Sequence, residues 1–322
     1  MCADGAVVLA EVAVRWLTSH PDAAIRVGST IRCACAASYG GPMAPVSTAS
    51  LTTPTGPVEI PTVGFGVWQV PDSEVEAAVS AALDAGYRHV DTARLYGNEA
   101  GVGRALAASD VPRDDVFVTT KVWNDDHGRD ATLRAFDGSM QRLGLDVLDL
   151  FLIHWPVPRQ DRYVETWQAL RELRDDGRVS AIGVCNFHEA HLQRLYDETG
   201  EWPAINQVEL HPYLQQTPLR EFDTAHGIVT ESWSPLASGK RVLDDPAIGA
   251  IARRHDATPA QVVIAWHLAQ GLVVLPKSVT PARIVENLAA ADLVLTGEDL
   301  ADIATLDRGF RTGPNPDEFN QA

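Results

Sequence analysis

From residue 58 onward, short runs of β-branched and aliphatic residues alternate with stretches in which apolar residues recur every three or four positions. The first pattern marks buried strands and the second amphipathic helices. It predicts strands over 63–65, 89–91, 116–119, 147–153, 181–184, 205–209, 228–232 and 273–275. It predicts intervening helices over 73–85, 99–109 (with Asn98 able to cap it), 131–143, 163–175, 189–199, 218–226, 259–270 and 281–290, and one more over 296–307. The strands read as continuous apolar runs, as parallel strands buried on both faces do. Eight strand–helix pairs over about 250 residues fit a closed α/β barrel, the (β/α)8 TIM barrel, better than an open sheet. An N-terminal β-hairpin, an insertion after the seventh strand and a C-terminal helix with a polar tail complete the expected single barrel.

In such a barrel the chemistry sits at the carboxyl ends of the strands. The residues expected there are Trp68, Asp91, Lys121, His154, Asn186, Gln207, Trp233 and Lys277. Structural positions at strand ends are more often small turn residues, so this concentration of ionisable and aromatic groups points to a site. Lysine use sharpens the point. The chain has 23 arginines and three lysines, Lys121, Lys240 and Lys277, and two of the three fall in this set. A GC-rich genome accounts for the bias, but a lysine that survives it is suited to a place where a compact ammonium is needed.

Tyr96 follows Asp91 by five residues, in the loop above the second strand. A phenol is a weak acid, and a neighbouring ammonium favours its phenolate and lowers its pKa. An aspartate can fix that lysine, and a histidine can orient a substrate oxygen. Asp91, Tyr96, Lys121 and His154 supply this set. Each has a plainer use alone: a loop cap, a surface aromatic, a core histidine. Together they suit protonation of a carbonyl oxygen while hydride reaches the carbon. No side chain donates hydride, so a cofactor is required.

No Walker loop is present, and Gly101-Val-Gly103 lacks the third glycine of a dinucleotide fingerprint. The segment from Leu275 to Asn287 suits a phosphate better. A strand ends at Lys277 and Ser278, and a helix follows with Thr280 as its expected cap and Pro281 in its first turn. The free N–H groups of a helix start attract an anion, and Lys277 and Arg283 add charge.

At this point the chain resembles the aldo-keto reductases, a family of (β/α)8 NADPH-dependent carbonyl reductases. The likeness covers about residues 55–320. It rests on Gly86-Tyr-Arg-His-Val-Asp-Thr-Ala93, Tyr96-Gly-Asn-Glu99, Thr119-Thr-Lys121, Leu152-Ile-His-Trp-Pro156, Gly183-Val-Cys-Asn-Phe187, Asn206-Gln207, Trp233-Ser-Pro-Leu236 and the Lys277–Asn287 segment. The general sequence is most similar to the bacterial 2,5-diketo-D-gluconic acid reductase branch.

The resemblance implies that Asp91, Tyr96, Lys121 and His154 are the catalytic tetrad, with Tyr96 the proton donor. It implies that Asn186 and Gln207 hold the nicotinamide carboxamide and that Trp233 stacks on the ring. Ser234 and Leu236 would approach the pyrophosphate. Lys277, Ser278, Val279 and Arg283 would bind around the 2′-phosphate, and Glu286 and Asn287 the adenine. Trp68, Trp123 and Trp155 would line the substrate pocket. Cys185 stands where the family usually has serine, and a thiol is the weaker donor. The implied cofactor is NADPH/NADP+ and the implied partner a small carbonyl compound. An intact tetrad argues against the alternative, an NADPH-binding barrel that acts as a redox sensor or partner subunit without turnover.

Charge and cysteine count set the surroundings. With 26 basic and 43 acidic residues, a net charge of −17 makes nucleic acid a poor partner. No apolar run is long enough to span a membrane. Residues 43–322 contain one cysteine, Cys185, which suits a reducing compartment and a cytoplasmic monomer. Residues 1–42 differ: their charges cancel and they hold the other three cysteines. They read as an atypical N-terminal extension, disordered or not part of the working enzyme, with the barrel spanning 43–322. Val7–Leu17 has enough apolar periodicity for a short helix. His188-Glu-Ala-His191 resembles half a metal site but has the wrong spacing, so solvated histidines are expected and no metal. Lys240, in the insertion after the seventh strand, would place positive charge near the catalytic face.

Overall fold

The alternating pattern resolves, in a computed structural model describing residues 47–239 and 241–321, into ten strands and ten α-helices. The order of elements begins with a hairpin: β1 (Thr48–Leu51) pairs antiparallel with β2 (Val58–Pro61). Eight strands follow in one sheet: β3 (Phe65–Gly66), β4 (His89–Asp91), β5 (Phe117–Val122), β6 (Leu148–Ile153), β7 (Val179–Cys185), β8 (Ile205–Glu209), β9 (Val229–Trp233) and β10 (Val273–Val274). They lie side by side in chain order and all pair in parallel. A parallel bridge between Val63 and Val274 joins the two ends. Gly64 N donates to Val274 O at 2.9 Å and Val274 N to Thr62 O at 2.8 Å, which closes the ring.

Ten helices alternate with or follow these strands: α1 (Asp72–Ala85), α2 (Glu99–Ala108), α3 (Arg129–Leu143), α4 (Tyr163–Asp175), α5 (Glu189–Thr199), α6 (Thr217–Ala225), α7 (Pro246–Arg254), α8 (Pro259–Ala269), α9 (Pro281–Leu288) and α10 (Gly297–Ala304). The insertion after β9 contains α7, which the sequence reading left unassigned. Pro246 starts it and the Asp245 carboxylate accepts from Ala247 N at 2.9 Å, an N-cap. Two helix starts differ from expectation. Asn98 makes no side-chain cap on α2. Its amide instead donates to Val67 O and Val70 O at 3.0 and 2.9 Å, tying loops together. Thr280 makes no side-chain cap on α9; Ser278 Oγ accepts from Thr280 N at 3.1 Å.

Side chains of β6 show how the barrel is filled. Phe151 and Ile153 face the helices, whereas Leu150 and Leu152 join Phe117, Ala181, Ile205 and Val273 inside. Leu51 and Ile60 of the hairpin pack into this inner cluster and close the amino-terminal end of the barrel. Asp149, a charge within the apolar run of β6, accepts from Val118 N at 2.9 Å and pairs with Arg113. Gly183 is where the interior is tightest: a Cβ there would lie 2.5 Å from Ile205 Cγ2 and 2.6 Å from Ile205 O.

Candidate active site

Lys121 is drawn to the barrel axis because it lies in phase with Phe117 and Thr119 on β5. The strand runs through Val122, past the expected end at 119, so the lysine is built into the sheet. Its side chain is 0% exposed. Nζ donates to both Asp91 carboxylate oxygens at 2.7 Å, to Thr92 O at 3.0 Å and to Tyr96 Oη at 3.4 Å. Asp91 ends the neighbouring strand β4, and Tyr96 closes the 3-10 turn Arg94–Tyr96 above it. A buried ammonium is tolerable only with such partners, and removing one partner of a buried pair typically costs about 3–5 kcal/mol. His154 follows β6, and its ring lies 5.8 Å from that of Tyr96, edge to face. The four residues thus meet at one end of the barrel.

Burial pushes the Tyr96 hydroxyl above the usual phenol range; Lys121 pulls the other way and Asp91 adds to the rise. A neighbouring ammonium by itself lowers a phenol's pKa. It does pull down, but desolvation outweighs it. Burial alone would lower the Lys121 ammonium, yet Asp91 opposes it strongly enough for a net rise. Burial holds His154 well below its usual value, with Lys121 assisting. At neutral pH Lys121 is therefore charged, Tyr96 protonated and His154 neutral.

Beside this set lies a second network. Trp233 Nε1 donates to Asn186 Oδ1 at 2.8 Å, and Asn186 Nδ2 donates to His154 O at 3.0 Å and Cys185 Sγ at 3.1 Å. The Cys185 thiol, raised well above its usual pKa by burial, donates to Gln207 Oε1 at 3.6 Å. Gln207 Nε2 donates to Asp91 Oδ2 at 2.9 Å and to Glu231 Oε2 at 2.7 Å. Glu231 was absent from the sequence-predicted site. It was findable, as the lone acid of Val229-Thr-Glu-Ser-Trp233, in phase with Trp233 and hence inward-facing. His89, also inward, shares Nε2 with Thr119 Oγ1 at 3.2 Å.

Aromatic walls rise around Tyr96. Trp68 is 46% exposed, with its ring 4.8 Å from that of Tyr96. Trp123 lies 5.1 Å from the His154 ring. Trp155 packs at 4.3 Å on Phe319, an aromatic residue of the otherwise polar tail. The tail is held by its backbone: Asn124 Nδ2 donates to Gln321 O at 2.6 Å, and Thr312 N and Gly313 N donate to the Glu209 carboxylate at 2.6 and 3.0 Å. Gly313 passes so close to Trp233 that a Cβ would lie 2.6 Å from Cη2.

At the far side of β10, Lys277, Val279 and Arg283 are exposed, and Ser278 and Asn287 are buried. Among the described residues neither Lys277 nor Arg283 is in an ion pair, so both charges remain available to an anion. Glu286 Oε1 accepts from Thr258 Oγ1 at 2.7 Å, so one of its oxygens is already used by the start of α8. Ser234 (φ 48°) and Leu236, both half-buried, follow Trp233 into the loop. Lys240 lies outside the described residues, as do residues 1–46 and with them the expected extension.

The two histidines of the 188–191 segment are not free in solvent. They cap α5 together, and His188 Nδ1 lies 2.9 Å from Asp317 of the tail. Among the described residues no group of three or more His, Cys, Asp or Glu side chains could hold a metal, and no helix is long and apolar enough to cross a membrane.

A closed (β/α)8 barrel carrying a buried Lys–Asp pair under a tyrosine, with aromatic walls and a cationic helix start at one end, defines a class of carbonyl-reducing oxidoreductase. Comparison with known proteins gives the family. The Aldo/keto reductase family pattern matches residues 62–308. The chain is 55% identical over 261 residues to an aldo-keto reductase of Mycolicibacterium smegmatis, covering 81% of this chain and 94% of that one. It is 54% identical, with the same coverage, to the methylglyoxal reductase DkgA of Yersinia pestis. Among solved structures, a Gox0644 variant in complex with NADPH superposes with a TM-score of 0.80 at 49% identity, covering 85% of this chain and 99% of that one. The chain belongs to the aldo/keto reductase family and is an oxidoreductase.

Proposed function

We propose that this protein reduces aldehydes and ketones to alcohols with NADPH, and that small α-oxoaldehydes such as methylglyoxal are among its substrates. The substrate class follows from the names of the DkgA relatives, and the cofactor from the NADPH-bound relative. The donor set of this chain fits that cofactor. Lys277 and Arg283 offer cations that are unpaired among the described residues, Trp233 an indole face, and Asn186 and Gln207 amides at the nicotinamide end. Ser234 and Leu236 would flank the pyrophosphate. Val279 and Ser278 would complete the 2′-phosphate end, and Asn287 with the free edge of Glu286 the adenine end. When bound, NADPH supplies the hydride that the protein cannot.

The observation that carries this reading is Lys121 donating to Tyr96 Oη while Asp91 holds Lys121 from behind. Tyr96 accepts that bond, so its own O–H is free to bond a carbonyl oxygen. As the oxygen gains negative charge it takes the Tyr96 proton, and the ammonium at 3.4 Å stabilises the phenolate left behind. Neutral His154 orients the oxygen. Trp68, Trp123 and Trp155 exclude water around it. The product is an alcohol, with hydride on carbon and the tyrosine proton on oxygen; solvent then reprotonates Tyr96.

Following NADPH absorbance with methylglyoxal and a panel of other aldehydes tests the reading. Tight NADPH binding with no oxidation above background by any carbonyl would overturn it. The same reading places the working enzyme in residues 43–322, as a cytoplasmic monomer. Size-exclusion chromatography and cell fractionation check those two properties.

A further inference from the structure

Two carboxyl groups share one amide beneath the mouth of the barrel. Gln207 Nε2 donates to Asp91 Oδ2 at 2.9 Å and to Glu231 Oε2 at 2.7 Å. An amide nitrogen has two N–H groups and accepts nothing, so both donors are committed. Turning the amide over would set its oxygen against the Asp91 carboxylate oxygen. Gln207 Oε1 is thereby aimed the other way, to the side where the Cys185 thiol lies.

Glu231 is 0% exposed, and Oε1 has no hydrogen-bond partner among the described residues. The His89 ring, kept neutral by burial, stands 3.9 Å from that oxygen. Burial, with Asp91 nearby, pushes the Glu231 carboxyl up to about 8. At neutral pH it is mostly protonated, with Oε1 able to carry the proton and Oε2 still an acceptor. An aliphatic residue here would avoid burying an acid but would leave one Gln207 N–H unpaired.

We propose that Glu231 is a positioning residue for the cofactor: by taking the second N–H of Gln207, it fixes the amide with its oxygen presented to the carboxamide N–H of the nicotinamide. This rests on the reading above that Gln207 contacts the nicotinamide end. Asp91 alone would occupy one N–H and leave the amide a free donor.

The test compares the affinity of NADPH with that of 2′,5′-ADP, which carries the phosphates but no nicotinamide, by titration calorimetry. Glu231→Met keeps the volume and removes the acceptor. It should weaken NADPH roughly tenfold, the worth of about one neutral hydrogen bond, and leave 2′,5′-ADP unchanged. Glu231→Gln, whose carbonyl can accept the same N–H, should bind both ligands as the wild type does. Equal losses for both ligands in Glu231→Met, or no loss, would overturn the proposal, as would Glu231→Gln losing as much as Glu231→Met. Glu231→Ala gives the same comparison should the methionine variant not fold. Gln207→Ala, run alongside, separates this proposal from its premise. Selective NADPH loss in Gln207→Ala but not in Glu231→Met overturns the role of Glu231 alone; no selective loss in Gln207→Ala overturns both.

Discussion

Lys121 donates to Tyr96 Oη across 3.4 Å while its other hydrogen bonds, to Asp91 and Thr92, are 2.7–3.0 Å. The lysine is anchored away from the tyrosine and lends it only a weak contact. Tyr96 therefore keeps its own proton, which the proposed reaction spends. Tyr96→Phe should preserve the ring packing, cut turnover by about a hundredfold or more and leave NADPH affinity nearly unchanged. Turnover within a few-fold of wild type would place the proton donor elsewhere.

Cofactor choice should depend on the exposed cations after β10. Arg283→Ala should weaken NADPH binding by about 1.5–3 kcal/mol, the worth of a charge-assisted contact, and barely affect NADH. Dissociation constants for both cofactors measure it; equal losses would put the 2′-phosphate at other residues.

Asp223, buried in α6, accepts from Thr230 Oγ1 at 2.9 Å and from Asn206 Nδ2 at 3.5 Å, with no basic partner among the described residues. Burial raises its pKa to about 7. The native state thus holds a proton that the unfolded chain releases at lower pH. This contribution to stability is complete below the usual carboxylate range and is lost as pH rises through about 7. Glu231 acts in the same direction. Asp223→Asn should raise the melting temperature at pH 8 relative to wild type more than at pH 5; equal shifts would remove Asp223 from the pH dependence.

Gly183→Ala should destabilise the barrel by about 1–3 kcal/mol, since the new methyl meets Ile205 backbone and cannot be relieved by a rotamer change. Urea unfolding measures it, and a neutral result would mean that β7 and β8 can part without penalty.

A chain begun at Met43 should match the full chain in melting temperature and in carbonyl reduction. A large loss of either would show that residues 1–42 contribute to the working enzyme.

Much of this was legible because barrel periodicity fixes which residues face inward. β4, α4, α5 and β8 fall where the pattern set them, since uninterrupted apolar periods admit little ambiguity. Asp91, Lys121, His154 and Gln207 could be placed at one end from strand phase alone. The misses share a cause: their partners are remote in sequence. Asn98 looks like a cap until Val67 and Val70 arrive beside it. Phe319 looks like tail until it meets Trp155. The sign of the Tyr96 shift depends on how much water the fold removes, which no spacing reports. Helix α7 was hidden inside an insertion because nine residues carry too little periodicity to stand out.

The Val63–Val274 bridge has a consequence for how the molecule is made. Its two partners emerge from the ribosome about two hundred residues apart. Until the second is synthesised, β3 is an open edge, with N–H and C=O groups ready to pair with another chain. Non-local closure of this kind is slow relative to local helix formation. The strand that waits longest is only two residues long by its own ladder, Phe65–Gly66, and so offers a stranger little to grip.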